Sequence, residues 1–115
     1  MLQAPVVPIP ESDKYMNEYD FTVTFEDKDI TVPTGFIYDG ASIPKIGLVW
    51  MITYTNFHPK VMTPALIHDY LYTTGSHGKD FADRFFRTLL LKNGVPKIKA
   101  GMMYKAVKHF GKGNF

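Results

Sequence analysis

From residue 64 to residue 74 the sequence offers an α-helix with no polar side. At ~100° per residue, Ala65, Leu66, Ile67, Tyr70, Leu71 and Tyr72 cover most directions around the axis. A helix that is apolar all round is a buried one. Thr63-Pro64 gives it a hydroxyl N-cap and a proline in the first turn, and Gly75 stops it. Yet His68 and Asp69 sit inside it. Burying a charge is costly unless it is paired or holds a metal, so the rest of the chain must supply partners for both.

Two further helices follow. The first spans Lys79–Lys92, with Phe81, Ala82, Phe85, Phe86, Leu89 and Leu90 on one face and Asp83 at its edge. Asn93-Gly94 ends it, and Pro96 opens a helix to about residue 110. That last helix is expected to turn Ile98, Met102, Met103, Ala106, Val107 and Phe110 inward, leaving Lys105, Lys108 and Lys112 as an outer stripe. Short connectors imply antiparallel neighbours. His68 lies seven residues before Gly75, and Asp83 five after Gly78, so the two fall at similar heights. Asp83 is placed to accept a hydrogen bond from the His68 ring. Tyr72, at i+4, lies on the same side of the helix as His68.

The N-terminal half has a different rhythm. Residues 1–18 begin with Pro5, Pro8 and Pro10 among Val6, Val7 and Ile9, and read as an extended arm. Residues 19–32 alternate as a β-hairpin, with Glu26-Asp27-Lys28-Asp29 as its polar turn and Pro33 as its stop. Residues 33–62 have no clean period and read as a long ordered loop packed by its own aromatics. The length of 115 residues suits one domain. The expected fold is α+β: an N-terminal hairpin or small antiparallel sheet, the loop, and a three-helix C-terminal half around a buried central helix.

Composition excludes several chemistries. The chain has no cysteine, hence no disulfide scaffold, thiolate zinc site or thiol nucleophile. Its longest apolar run, residues 46–52, is far short of the roughly 20 residues that span a bilayer. The N-terminus has neither a basic region nor a long apolar one, so no signal peptide is expected. Residues 1–50 carry a net −5 and residues 51–115 a net +7. With no basic run, the halves are expected to neutralise each other, and nucleic acid is not the expected partner.

Four constellations could carry chemistry. In the first, Asp83 fixes the tautomer of His68, freeing the other ring nitrogen to act as a base toward water. Asp69 points about 100° away, where Asp39 and loop carbonyls from residues 35–42 would complete an oxygen site for Ca²⁺ or Mg²⁺. The alternative is a buried polar network that pins helices and loop without catalysis. The second is a metal set of His58, His68-Asp69 and Asp83; its spacings of ten and fourteen residues are too short for an HD-type phosphohydrolase. The third is Ser42, in Asp39-Gly40-Ala41-Ser42-Ile43-Pro44; without a Gly-x-Ser-x-Gly elbow it reads as a turn. The fourth, the Lys105/Lys108/Lys112 stripe, reads as a solvated helix face.

His68-Asp69-x-x-Tyr72 with a later Asp83 on the antiparallel helix resembles, locally, the secreted phospholipase A2 pattern. There the histidine is the base, the adjacent aspartate holds calcium and the later aspartate orients the histidine. That resemblance implies these roles for His68, Asp69 and Asp83, with Tyr72 beside them. The chain departs from the pattern in lacking the flanking cysteines and a Tyr-Gly-x-Gly calcium loop.

Over residues 19–111 a wider resemblance applies. Val32-Pro33-Thr34-Gly35-Phe36, the Asp39 to Pro44 segment, His68-Asp69-Tyr70-Leu71-Tyr72, Ala82-Asp83-Arg84-Phe85-Phe86 and the Met103 to Gly111 segment occur in that order. The set resembles a family of small proteins of tailed bacteriophages and prophages. The resemblance implies a phage origin, in the virion or the host cytoplasm. It also implies that Asp39, Ser42, His68, Asp69, Tyr72 and Asp83 converge. The leading expectation is an accessory protein that binds a virion component, a host factor or a second copy of itself. The second is a small cation-dependent hydrolase: His68 the base, Asp83 orienting it, Asp69 holding the cation.

Overall fold

A computed structural model describes residues 2–12, 14–38 and 59–115. By internal packing the chain divides into two compact units, one of residues 4–39 and one of residues 1–3 and 40–115. Short antiparallel sheets precede three helices among the described residues, an α+β arrangement. Asp39, Ser42, His58 and most of the loop expected over residues 33–62 lie outside the described residues.

Among its described residues the first unit holds five strands: β1 (Val6–Pro8), β2 (Tyr15–Asn17), β3 (Phe21–Phe25), β4 (Lys28–Val32) and β5 (Ile37–Tyr38). They form an antiparallel sheet in the order β1-β2-β5 and a β3–β4 hairpin. The expected N-terminal arm is extended, but it is a paired strand. Val6 and Val7 face Asn17 and Met16, and proline fits because Pro8 ends the strand. The β3–β4 turn is tighter than the four-residue one expected. Phe25 pairs directly with Lys28, and Glu26 and Asp27 take φ of 52° and 63°. Such two-residue turns need positive φ at both central positions because their twist matches that of the strands.

Asn17 is fully buried and ties this unit together. Its Nδ2 donates to the carbonyls of Tyr19 (2.6 Å), Val32 (2.9 Å) and Pro33 (3.0 Å). Its backbone nitrogen donates to Phe36 O, and its carbonyl accepts from Gly35 N. One side chain thus satisfies carbonyls at the ends of two strands, where the ladder gives out.

The second unit holds α1 (Pro59–Thr74), α2 (Lys79–Lys92) and α3 (Lys97–Phe110), with α1 packed on α2 and α2 on α3. Helix α1 starts at Pro59, one turn earlier than the Thr63-Pro64 reading. Proline is free of cost at a first position, and Pro59 occupies it. Pro64 is accommodated in the interior. It has no N–H for the Lys60 carbonyl four residues back, and Asn93 Nδ2 donates to that carbonyl instead, at 3.3 Å. Asn93 also brackets Leu2, accepting from its N–H at 2.8 Å and donating to its carbonyl at 3.2 Å.

Helix α1 is buried on nearly all sides, as an all-apolar helix must be: Val61, Ala65, Leu66, Ile67, His68, Leu71 and Tyr72 are buried. Helix α2 buries the six apolar residues expected of it, and Asp83 with them. Helix α3 is rotated from expectation. Ala100, Met103, Ala106 and Val107 face inward, whereas Ile98 and Phe110 are exposed. Small residues at 100 and 106 let α3 approach closely, and Ile98 falls on the opposite side of the wheel.

Residues 111–115 return to the end of α1. Asn114 donates from its backbone to Tyr72 O and from its side chain to Thr73 O, both at 2.8 Å. It thereby satisfies carbonyls left open in the last turn. Gly75, at φ 64°, lets this segment close in: a Cβ there would overlap the Asn114 carbonyl.

Candidate functional site

Helices α1 and α2 are joined by a connector of four residues, 75–78. That brings His68 and Asp83 to one height, and His68 Nε2 lies 2.8 Å from Asp83 Oδ1. Tyr72, one turn along α1, donates its hydroxyl to the same oxygen at 2.5 Å. Lys79, one turn before Asp83 on α2, donates to Asp83 Oδ2 at 2.7 Å. Lys79 also donates to the carbonyls of Val107 (2.6 Å) and Lys108 (3.0 Å), so it fastens the carboxylate to the last turn of α3. The His68 ring is 4.0 Å from that of Tyr72 and 4.8 Å from that of Phe86.

The protonation states follow from this arrangement. Burial pushes the Asp83 carboxyl up, but the hydrogen bonds from His68, Lys79 and Tyr72 outweigh it and hold the group below its usual range. Asp83 is therefore an anion with three donors. Burial pushes His68 down, against the opposing pull of Asp83, so the imidazole is neutral. The Tyr72 hydroxyl is pushed up, by burial first and then by its bond to Asp83, and remains a donor. A carboxylate anion only accepts, so the single imidazole proton sits on Nε2.

That leaves Nδ1 with a lone pair. His68 is fully buried, and Nδ1 has no hydrogen-bond partner among the described residues. A buried acceptor left over in this way calls for an explanation. Every other polar atom of the His68, Tyr72, Lys79 and Asp83 side chains is hydrogen-bonded within the cluster or to α3.

The other expected members stand differently. Asp69 follows His68 on α1 and is half-buried. Asp39 and Ser42, expected beside it, lie outside the described residues, as does His58. Among the described residues no group of three or more His, Asp or Glu side chains could hold a metal ion. The expected Ca²⁺ or Mg²⁺ site of Asp69 and Asp39 falls only in part within the described residues. Lys79 is the member that sequence reading missed. Its signal was present: a lysine four residues before a buried aspartate on one helix face.

Comparison with known proteins adds a family. A family model described as "Protein of unknown function (DUF1353)" matches residues 15–107. An uncharacterized protein of Sinorhizobium fredii (strain NBRC 101917 / NGR234), y4jT, is 40% identical over 80 residues, which are 70% of this chain and 23% of that protein. The chain thus spans about a quarter of the length of that curated relative. No solved structure matches the chain. Among the described residues no helix is long and apolar enough to cross a membrane.

Proposed function

The chain belongs to the DUF1353 family, and we propose that it is a small hydrolase whose base is His68 Nδ1. One observation carries this reading: a neutral imidazole, held in a single tautomer by an ionised aspartate, presents a lone pair that no described residue uses. In hydrolysis Nδ1 takes a proton from water as the water oxygen bonds to the ester carbonyl or phosphoryl centre. The imidazolium so formed is stabilised by Asp83, and the proton passes to the departing alkoxide. Tyr72 and Lys79 keep Asp83 charged and aimed. Asp69 is the described residue that would hold a divalent cation, which when bound would supply positive charge near the developing oxyanion. The motifs that resemble the phage family support a phage or prophage setting for this activity, in the virion or the host cytoplasm.

A second reading rests on the complete burial of His68. In it the network only fastens α1, α2 and α3 together. Turnover separates the two. Carboxylic and phosphoric esters would be screened with Ca²⁺, Mg²⁺ or EDTA, on the wild type, His68→Gln and Asp69→Asn. General-base catalysis is worth about 10²–10⁴-fold. The hydrolase reading expects His68→Gln to lose that factor while remaining folded. Activity equal in wild type and His68→Gln, or none with any ester while the variant only loses stability, leaves the structural reading.

A further inference from the structure

Among the described residues, helix α3 has an exposed outer face. Ala100, Met103, Ala106 and Val107 fill its inner side. On the outer side Ile98, Met102, Lys105 and His109 follow one another at spacings of four, three and four residues, which is one helical ridge. Lys97 and Lys108 flank that ridge and are exposed. Ile98 is 79% exposed. Residues 84–115 hold eight Lys or Arg and no Asp or Glu.

The complementary surface is on the same chain. Residues 4–39 carry eight acids against two lysines, a net −6, while the other unit carries a net +8. Strand alternation puts Asp20, Thr22 and Thr24 on one face of the β3–β4 hairpin, with Asp29 and Thr31 opposite them. All five are exposed, and Glu26 and Asp27 are exposed at the turn. The threonine hydroxyls are already paired: Thr22 with Thr31 at 2.8 Å, and Thr24 donating to Asp29 at 2.6 Å. The face is therefore acidic at its ends and has satisfied hydroxyls at its centre.

We propose that the outer face of α3 docks onto the outer face of the β3–β4 hairpin of a second copy of this chain. Ile98 and Met102 would lie on the threonine row, and Lys97, Lys105 and Lys108 would meet Asp20, Asp27 and Asp29. The lengths agree. Lys97 to Lys108 is about 16 Å at the helical rise, and Asp20 to Glu26 is about 20 Å at the strand rise. A nucleic-acid backbone would answer the lysines but offer nothing to Ile98. Because the two faces differ, the contact is head-to-tail and leaves one free face at each end, so copies add into rings or chains. One helix on one hairpin is a small interface, so the contact is weak and salt-sensitive.

Sedimentation equilibrium of the whole chain tests this in about 20 mM and about 0.5 M salt. The wild type is expected to gain mass with concentration at low salt and to be monomeric at high salt. Lys97→Glu/Lys105→Glu loses the basic face, and Asp27→Lys/Asp29→Lys the acidic one. Each alone is expected to be monomeric, with an unchanged circular dichroism spectrum. Mixed at low salt, they are expected to associate with each other, since the unchanged acidic face of one meets the unchanged basic face of the other and the two reversed faces are complementary as well. A wild type that stays monomeric at low salt up to about a millimolar overturns the proposal, as does a mixture that remains monomeric. A monomeric wild type that binds duplex DNA or anionic vesicles through Lys97 and Lys105 overturns it too, and assigns the face to that polyanion.

Discussion

Replacing Lys79 by methionine tests whether the cluster is one unit. The substitution keeps a long apolar stem and removes the ammonium. The wild-type ammonium makes three bonds, to Asp83 Oδ2 and to the carbonyls of Val107 and Lys108, at 2.6–3.0 Å. Asp83 is 3% exposed at its side chain, so the carboxylate oxygen left behind has little access to water. A hydrogen bond to a charged group contributes about 1.5–3 kcal/mol. The Lys79 side chain is 33% exposed, so solvent already screens part of this. The expected net loss is about 2 kcal/mol, or a fall of about 8 °C in Tm at about 4 °C per kcal/mol for a chain of this size. Urea denaturation of the wild type, Lys79→Met, Asp83→Asn and the double variant measures the coupling directly. A coupling of about 1–2 kcal/mol is expected for groups that share one bond in a partly buried setting. A Lys79→Met loss below about 0.5 kcal/mol, or a coupling indistinguishable from zero, would refute the claim that Lys79 holds Asp83.

Both His68 and Asp83 are held below their ordinary values, so on acidification the unfolded chain takes up protons before the folded one. Stability is thus expected to be full above about pH 6.5, to fall through the histidine range, and to fall again below about pH 4; urea melts across pH would show His68→Gln losing only the first step. Gly75→Ala should cost about 1–2 kcal/mol in thermal melts, since φ there is 64° and a Cβ would strike the Asn114 carbonyl. Asp27→Gly should raise stability by up to about 1 kcal/mol in the same assay, because φ of 63° in the β3–β4 turn suits glycine better than a residue with a Cβ.

The sequence was most informative where one physical demand admitted one answer. An all-apolar helix containing His68 had to be buried and had to find a partner for the imidazole. A short connector then left Asp83 as the residue at the right height, and the 2.8 Å contact is there. It was least informative where two answers satisfy the same local rule. Proline suits either a free extended arm or the end of an edge strand, and only the pairing of Val7 with Met16 decides between them. Both Pro59 and Pro64 could begin a helix. The choice depended on Asn93, remote in sequence, taking the Lys60 carbonyl that Pro64 leaves open. On α3 the large apolar residues suggested the inner face, but close helix packing favoured Ala100 and Ala106.

The same contrast bears on what His68 is for. The imidazole packs against Tyr72 and Phe86 and donates to Asp83, but it also buries a second nitrogen that finds no partner among the described residues. Leaving an acceptor buried and unsatisfied costs about 1–3 kcal/mol, a substantial share of the stability of a domain this small. Natural folds tolerate such a cost chiefly where a group has work to do. Among the described residues Asn17 Oδ1 and Arg87 Nε are buried without a partner as well; His68 Nδ1 differs in being the basic nitrogen of a neutral imidazole whose other nitrogen is fixed by an aspartate. The cost therefore falls on the atom a general base would use, while the complete burial of His68 is what a fastening network requires, so turnover by His68→Gln is the measurement that separates the two.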